Sequence, residues 1–231
     1  VTPVANLEPV LLSGTTVKRA SLHNSEQMEL LDVRIGDYVY VEKGGEIIPK
    51  ITGVELSMRN AALKKPDFPE YCPDCGCRLV RDDGEAKFFC PNIHGCPTQI
   101  KGRLVHFLSR KAMNILAGDA TVDQLYNLSL VRTPADFYDL DKEQLLTLDG
   151  WKERSAERFL ESIRASKATP FENVLFAIGI RYVGETTAKT VARFFKNIDA
   201  VAAADKETLL SVPEASAQAR KILSAAEKIK E

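Results

Sequence analysis

The stretch Cys72-Pro-Asp-Cys75-Gly-Cys77-Arg-Leu-Val-Arg-Asp-Asp-Gly-Glu-Ala-Lys-Phe-Phe-Cys90-Pro-Asn-Ile-His94-Gly-Cys96 decides how the chain is read. Cys72, Cys75, Cys90 and Cys96 are spaced C-x2-C-x14-C-x5-C. The first pair makes a turn that aims two thiolates at one point, and the second pair closes a tetrahedron from a separate loop. All five cysteines of the chain lie in this stretch. No basic-then-apolar stretch opens the sequence, so a cytoplasmic, reducing compartment is expected, which argues against a disulfide framework. The expectation is one structural zinc on Cys72, Cys75, Cys90 and Cys96. Four bound thiolates leave no position for a reactive water. A redox C-x2-C pair is an alternative, though no βαβ pattern surrounds it. His94 in place of one cysteine is another. Cys77, two residues past Cys75, points off the knuckle and reads as a bystander.

Working outward, the 231 residues are 45% hydrophobic and 27% charged, which excludes a disordered or collagenous chain. No apolar run approaches the roughly 18 residues of a membrane span, so no membrane partner is expected. The formal charge of −1 excludes a globally basic nucleic-acid binder. The charge is uneven, however: −2 over residues 1–70, +3 over 71–118 and −2 over 119–231. The basic segment carries Arg78, Arg81, Lys87, Lys101, Arg103, Arg110 and Lys111, read either as a nucleic-acid contact or as a solvated face. Val1 opens the sequence, and the run from Lys221 to Glu231 reads as a helix without a stop signal, so both ends are expected to be cuts within a longer protein.

Upstream of the cysteines the pattern is β. Val10-Leu-Leu-Ser-Gly14 and Thr15–Leu22 read as strands. Asn24 or Ser25 then caps a short helix, and Ile35–Glu42 alternates with a period of two. Gly44-Gly45 signals a hairpin, and Ile47–Leu56 returns as a strand with Pro49 at an edge or bulge. Short strands around one helix suggest a small OB-type barrel. Residues 57–70, with Pro66 and Pro69, read as a linker.

Downstream, nearly everything reads as short helices, and they hide a repeat. A turn residue is followed four positions later by a small or β-branched residue and, seven and eight positions later, by apolar residues. The sets are Gly118 with Val122, Leu125 and Tyr126; Lys152 with Ala156, Phe159 and Leu160; Gly184 with Ala188, Val191 and Ala192; and Ala215 with Ala219, Ile222 and Leu223. The spacings of 34, 32 and 31 residues indicate one supersecondary unit used four times, a helix–hairpin–helix. Its turn and second-helix N-terminus present backbone N–H groups to one phosphate. Such contacts position a duplex without reading its bases and are salt-sensitive. The bland alternative is a helical array that packs only on itself. The first hairpin offers Gly118, the second Gly150, Lys152 and Arg154, and the third Arg181, Gly184, Thr186 and Lys189. The second and third are expected to be the working phosphate binders and the fourth, which lacks glycine, to be structural.

Together these residues resemble the C-terminal part of bacterial NAD-dependent DNA ligases. The matching stretches are Pro3–Val10, Val17-Lys-Arg-Ala-Ser-Leu-His-Asn24, Asp32-Val-Arg-Ile-Gly-Asp-Tyr-Val39 with Gly44-Gly-Glu-Ile-Ile-Pro49, the four cysteines, His106-Phe-Leu-Ser-Arg-Lys-Ala-Met-Asn114 and Gly179-Ile-Arg-Tyr-Val-Gly-Glu-Thr-Thr-Ala188. The resemblance implies a multi-domain α+β chain: an OB fold over residues 1–68, a four-cysteine zinc finger over 69–98 and an all-α helix–hairpin–helix domain of four hairpins over 99–231. It implies nick sealing in duplex DNA during replication and repair. In that chemistry NAD adenylates a lysine, the AMP passes to the 5′-phosphate and the 3′-hydroxyl displaces it. The lysine of that family sits in Lys-x-Asp-Gly. Here Lys65-Pro-Asp-Phe68 is the nearest stretch and lacks the glycine. The chain alone is therefore expected to be inactive, binding zinc but not NAD, magnesium or manganese, and to act as a monomer on duplex DNA, nicked by preference, at the bacterial nucleoid. The resemblance implies that Arg19, His23 and Asn24 face DNA and that Arg34, Asp37, Lys43 and Ile48 support the adenylate steps. A free-standing nucleic-acid-binding module and a protein-binding scaffold are the competing readings.

Overall fold

The computed structural model describes residues 1–43, 48–180 and 183–212. It divides into two compact units, Val1–Cys96 and Pro97–Glu231.

In the first unit, β1 (Val4–Leu12) and β2 (Thr15–Ser21) form an antiparallel hairpin. Its two-residue turn places Ser13 and Gly14 at φ +50° and +74°, the left-handed pair that matches strand twist. Helix α1 (Ser25–Leu30) follows, then β3 (Val39–Glu42) and β4 (Lys50–Val54). The strand order is β1-β2-β4-β3, with β2 and β4 parallel where Ser21 faces Lys50. Among the described residues these four strands make a curled sheet, half of a barrel. Its concave side buries Ala20, Leu22, Val33 and Ile51, with Met28 and Leu31 from around α1 packed against them. Asn24 is the helix cap, its Oδ1 accepting from the N–H of Gln27 at 2.8 Å. Pro49 immediately precedes β4, and its carbonyl accepts from the N–H of Ser21, so its missing donor costs the ladder nothing.

The sequence expectations differ from this unit in three places. Strand β1 starts at Val4, not Val10. Ala5 and Leu7 turn inward, and Pro9 is accommodated where the register shifts between Asn6 and Val10. Residues 35–38 are not strand. Gly36 sits at φ +98°, and the Asp37 carboxylate accepts from the N–H of Arg34 at 2.6 Å, which folds the chain into a turn before β3. Residues 59–65 do not hang free as a linker. Arg59 donates from Nε to Asp37 Oδ1 at 2.9 Å and from NH1 to Asp32 Oδ2 at 2.6 Å. Lys65 pairs with Asp32 at 2.7 Å, the N–H of Ile35 reaches the carbonyl of Lys64, and the Leu63 side chain lies over Gly36. The Gly44-Gly45 hairpin signal lies outside the described residues.

The cysteine segment belongs to the same unit. It packs Leu79, Phe68 and Phe88 around the four thiols and makes short bridges between Tyr71 and Arg78 and between Val80 and Phe89.

The second unit is helical: α2 (Pro97–Leu108), α3 (Asp119–Asn127), α4 (Lys142–Leu146), α5 (Glu153–Ser166), α6 (Phe171–Ala177), α7 (Glu185–Phe195), α8 (Ile198–Ala203) and α9 (Lys206–Leu210). A 3-10 turn over Pro134–Asp139 buries Phe137 completely, parallel to Phe107. The repeat is realised as three adjacent helix pairs, α2 with α3, α4 with α5 and α6 with α7. All nine repeat positions are buried: Val122, Leu125, Tyr126, Ala156, Phe159, Leu160, Ala188, Val191 and Ala192. The small side chains Ala156 and Ala188, each fully buried, let the second helix of their pairs lie close to its neighbours. One apolar cluster runs from Ile100 to Ala177 and another from Leu175 to Val212, with Phe176 of α6 packed against both. His106 ties α2 to α6, its Nε2 lying 2.8 Å from the carbonyl oxygen of Phe176. The fourth hairpin, from Ala215, lies outside the described residues.

Candidate zinc centre and hairpin turns

The ligand atoms of Cys72, Cys75, Cys90 and Cys96 all lie within 4.8 Å of one another. Cys72 Sγ is 3.9 Å from Cys96 Sγ, and Cys75 Sγ is 3.5 Å from Cys90 Sγ. A tetrahedron with Zn–S of about 2.3 Å has edges of about 3.8 Å, so the four sulfurs fit one zinc. The local fold explains the convergence. Gly76 at φ +69° turns the chain so that its N–H reaches the carbonyl of Cys72, while the N–H of Cys72 reaches the carbonyl of Cys77. In the second loop the N–H of Gly95 and that of Cys96 both return to Asn92. The backbone N–H groups of Asp74 and Cys75 favour the Cys72 thiolate and bring that thiol to about 7, whereas burial pushes the Cys90 thiol up to about 12. A zinc ion would hold all four as thiolates and supply structure, with no open position for chemistry. Cys77 serves the knuckle through its backbone, and neither it nor His94 is in the cluster.

Three of the seven basic residues of the +3 segment are in ion pairs within their own unit. Arg81 pairs with Glu26 at 2.7 Å and lies over the Phe88 ring; Lys101 pairs with Asp123 and Lys111 with Glu185.

The helix starts are of two kinds. Helices α1, α4, α8 and α9 begin under side-chain caps from Asn24, Asp141, Asn197 and Asp205. Helices α3, α5 and α7 begin at Gly118, Lys152 and Gly184, none of which caps with its side chain; α6, which follows Pro170, shares that lack. At α5 the Ser155 hydroxyl returns to the helix start and accepts from the N–H of Lys152 at 2.9 Å, whereas α3 and α7 open with no side-chain cap from Gly118 or Gly184. Gly150 at φ +80° and Gly179 at φ +71° make the sharp bends. Gly118 and Gly184 are extended, and a Cβ on either would meet nothing within 4 Å. The fold itself has no need of glycine there.

The remaining expected site residues fall as follows. Lys152, Arg154 and Thr186 are exposed at their helix starts. Lys189 pairs with Glu185 at 2.9 Å. Arg181 lies outside the described residues. In the first unit Arg19 and His23 are exposed, and the Asn24 side chain is engaged as a cap. Lys43 donates to Thr15 Oγ1 at 3.1 Å, and Ile48 is exposed. Arg34 and Asp37 belong to one ionic brace. The Asp37 side chain is only 1% exposed and is held by Arg59, whose guanidinium keeps its carboxyl below the usual range. Asp32, bonded to Lys65 and Arg59, is lowered to about 2. Sequence reasoning missed Arg59, Lys65, Gln124 and Trp151 as structural contacts. Each acts across a gap in sequence that no periodicity marks.

Residues 1–63 match the sequence profile of the NAD-dependent DNA ligase OB-fold domain, and residues 71–97 match that of the NAD-dependent DNA ligase C4 zinc finger domain. Its OB fold and its zinc finger belong to the NAD-dependent DNA ligase family. Residues 173–224 match a helix–hairpin–helix motif. A DNA ligase of Bacteroides fragilis is 54% identical over 226 residues, covering 97% of the chain and 34% of that relative. DNA ligases of Parabacteroides distasonis and Flavobacterium psychrophilum are each 55% identical over 215 residues, covering 93% of the chain and 32% of each relative. The chain thus spans about a third of the length of the curated relatives it matches. Among the described residues no helix is long and apolar enough to cross a membrane.

Proposed function

We propose that the chain is the DNA-gripping part of an NAD-dependent DNA ligase that seals nicks in duplex DNA during replication and repair. The observation that carries this is the pair of helix starts at Gly118 and Gly184, which have no side-chain cap, where α1, α4, α8 and α9 are capped by Asn24, Asp141, Asn197 and Asp205. N–H groups at the positive end of a helix donate to a phosphate without regard to base sequence. The OB face with Arg19 and His23 adds a second contact to the duplex. Gly118, Gly150, Gly184 and Thr186 let the backbone approach, while Lys152, Arg154 and Arg181 supply charge and Lys189 acts through its pair with Glu185.

The adenylated lysine lies elsewhere in the whole enzyme, together with NAD and magnesium or manganese; the 231-residue chain alone positions DNA and seals nothing. In this reading Arg34 serves the adenylate steps and Asp37 serves Arg34, since the Asp37 carboxylate is already committed to the Arg59 guanidinium and the Arg34 N–H. Lys43 and Ile48 belong to the same surface role. The finger holds one zinc and keeps its segment folded. The protein acts as a monomer in the bacterial cytoplasm at the nucleoid.

The test is binding of the chain to nicked and intact duplexes across a salt series, with zinc measured on the same sample. One zinc per chain and affinity that is indifferent to sequence and steeply salt-dependent are expected. No binding at low salt by a zinc-loaded chain overturns the proposal.

A further inference from the structure

The first and second hairpins are cross-braced through their turns. Gln124, on the second helix of the first hairpin, donates from Nε2 to the carbonyl of Asp149 at 3.0 Å and accepts at Oε1 from the indole N–H of Trp151 at 2.9 Å. A carbonyl only accepts and an indole N–H only donates, so the amide has one orientation. These two bonds straddle Gly150, the bend at φ +80° that leads into α5. The Trp151 ring is further held edge-on against Phe159, 5.4 Å between centroids. The return contact runs the other way: Ser162 on α5 accepts from the N–H of Leu116 in the first hairpin's turn at 3.1 Å and donates to the carbonyl of Phe159. A cleft separates the two turns, with Leu116 and Thr121 on one side and Gly150, Trp151, Ser155 and Arg158 on the other.

We propose that Gln124 is a positioning residue for DNA binding: its side-chain amide fixes the second hairpin's turn from the first hairpin, so that both turns meet the phosphate backbone as one unit. This rests on the phosphate-binding reading of the hairpins. A turn bent at a positive-φ glycine has several neighbouring conformations, and only a defined one points the first N–H groups of α5 at a common anion. Gln124 itself is half-buried and touches the turn, not the ligand.

The test compares Gln124→Met, Trp151→Phe and the double variant in the 231-residue chain, with Lys152→Glu as the direct probe of the hairpin. A nicked duplex is titrated over a salt series, and melting is followed in parallel. Trp151 is the chain's one tryptophan, so its emission reports the turn alone. For Gln124→Met, loss of two neutral hydrogen bonds should weaken binding about three- to tenfold. It should also make the salt slope shallower by about one phosphate's worth and shift Trp151 emission to the red. The double variant should bind no worse than Gln124→Met, because both remove the same brace. Unchanged affinity and slope in Gln124→Met, while Lys152→Glu weakens binding, overturns the positioning role and leaves the hairpin reading standing. Unchanged binding in both overturns the hairpin reading and the positioning role with it. A lower melting temperature with weaker binding at an unchanged slope marks Gln124 as structural only, which also overturns the proposal.

Discussion

Gly184→Val separates what the fold requires from what the ligand requires. Gly184 sits at φ −79° and ψ 177°, a backbone that a β-branched residue adopts without strain, and its added Cβ meets no atom within 4 Å. Losing glycine's freedom from the unfolded chain favours folding by about 0.4–1 kcal/mol. Valine is a poorer N-cap by a similar amount. The net change in stability should stay within about 1 kcal/mol, or roughly 2–4 °C in melting temperature for a chain of this size. A phosphate seated on the first N–H groups of α7 would make charge-assisted bonds of about 1.5–3 kcal/mol each. The isopropyl group occupies the space that phosphate needs, so losing one such bond should cost roughly 10- to 100-fold in affinity. The salt slope should change little, because no Lys or Arg is removed. Anisotropy titrations of a labelled duplex at several salt concentrations, with melting curves on the same preparations, measure both. Affinity equal to that of the unsubstituted chain would refute the argument, as would a large fall in melting temperature with affinity intact.

Gly150→Ala should behave in the opposite way. Its φ of +80° makes any Cβ costly by about 1–2 kcal/mol although nothing lies nearby, so melting falls; an unchanged melting temperature would contradict the backbone geometry. Cys90→Ser should release the zinc and expose residues 71–97, read by metal content and hydrogen exchange, with unchanged metal content as the refuting result. The folded-state carboxyl of Asp32 is held near 2 by Lys65 and Arg59, below its ordinary value of 3.8. Because the folded value is the depressed one, its stabilising contribution is fully present above about pH 4 and is lost as pH falls through about 2. An NMR titration of the Asp32 carboxyl with a midpoint near 4 would sink that assignment.

The metal site was legible because a C-x2-C turn fixes two ligands by chain geometry alone, and the remaining pair had no competing use. The hairpin repeat was legible for a similar reason: Ala156 and Ala188 mark close helix approach, and the apolar positions after them repeat at helical spacing. What escaped reading was side-chain pairing over long separations. Arg59 stands 22 residues from its partner Asp37, and Trp151 stands 27 from Gln124. The first half of β1 was obscured by Pro9, which only the register shift accommodates. The turn at Gly36 carries a strand-like pattern because Ile35 and Tyr38 flank it with apolar character, yet both are exposed. Glycine is not one signal in the sequence: Gly150 bends the backbone, whereas at Gly184 a Cβ would meet no atom of the chain within 4 Å.

The ionic anchoring of residues 59–65 changes the entropy of forming the zinc centre. A metal that gathers ligands from an unrestrained tail must close a loop whose near end wanders. Here the chain is pinned at Lys65 by its pair with Asp32, so only residues 66–71 separate the anchor from Cys72, and on that stretch Phe68 lies against Phe88 with the rings tilted at 44°. The cost of closure rises with the logarithm of the free length. Folding of the sheet therefore lowers that cost before the ion arrives, and zinc affinity becomes a property of the whole first unit. A peptide carrying the four cysteines alone should hold the metal less tightly than the intact unit does.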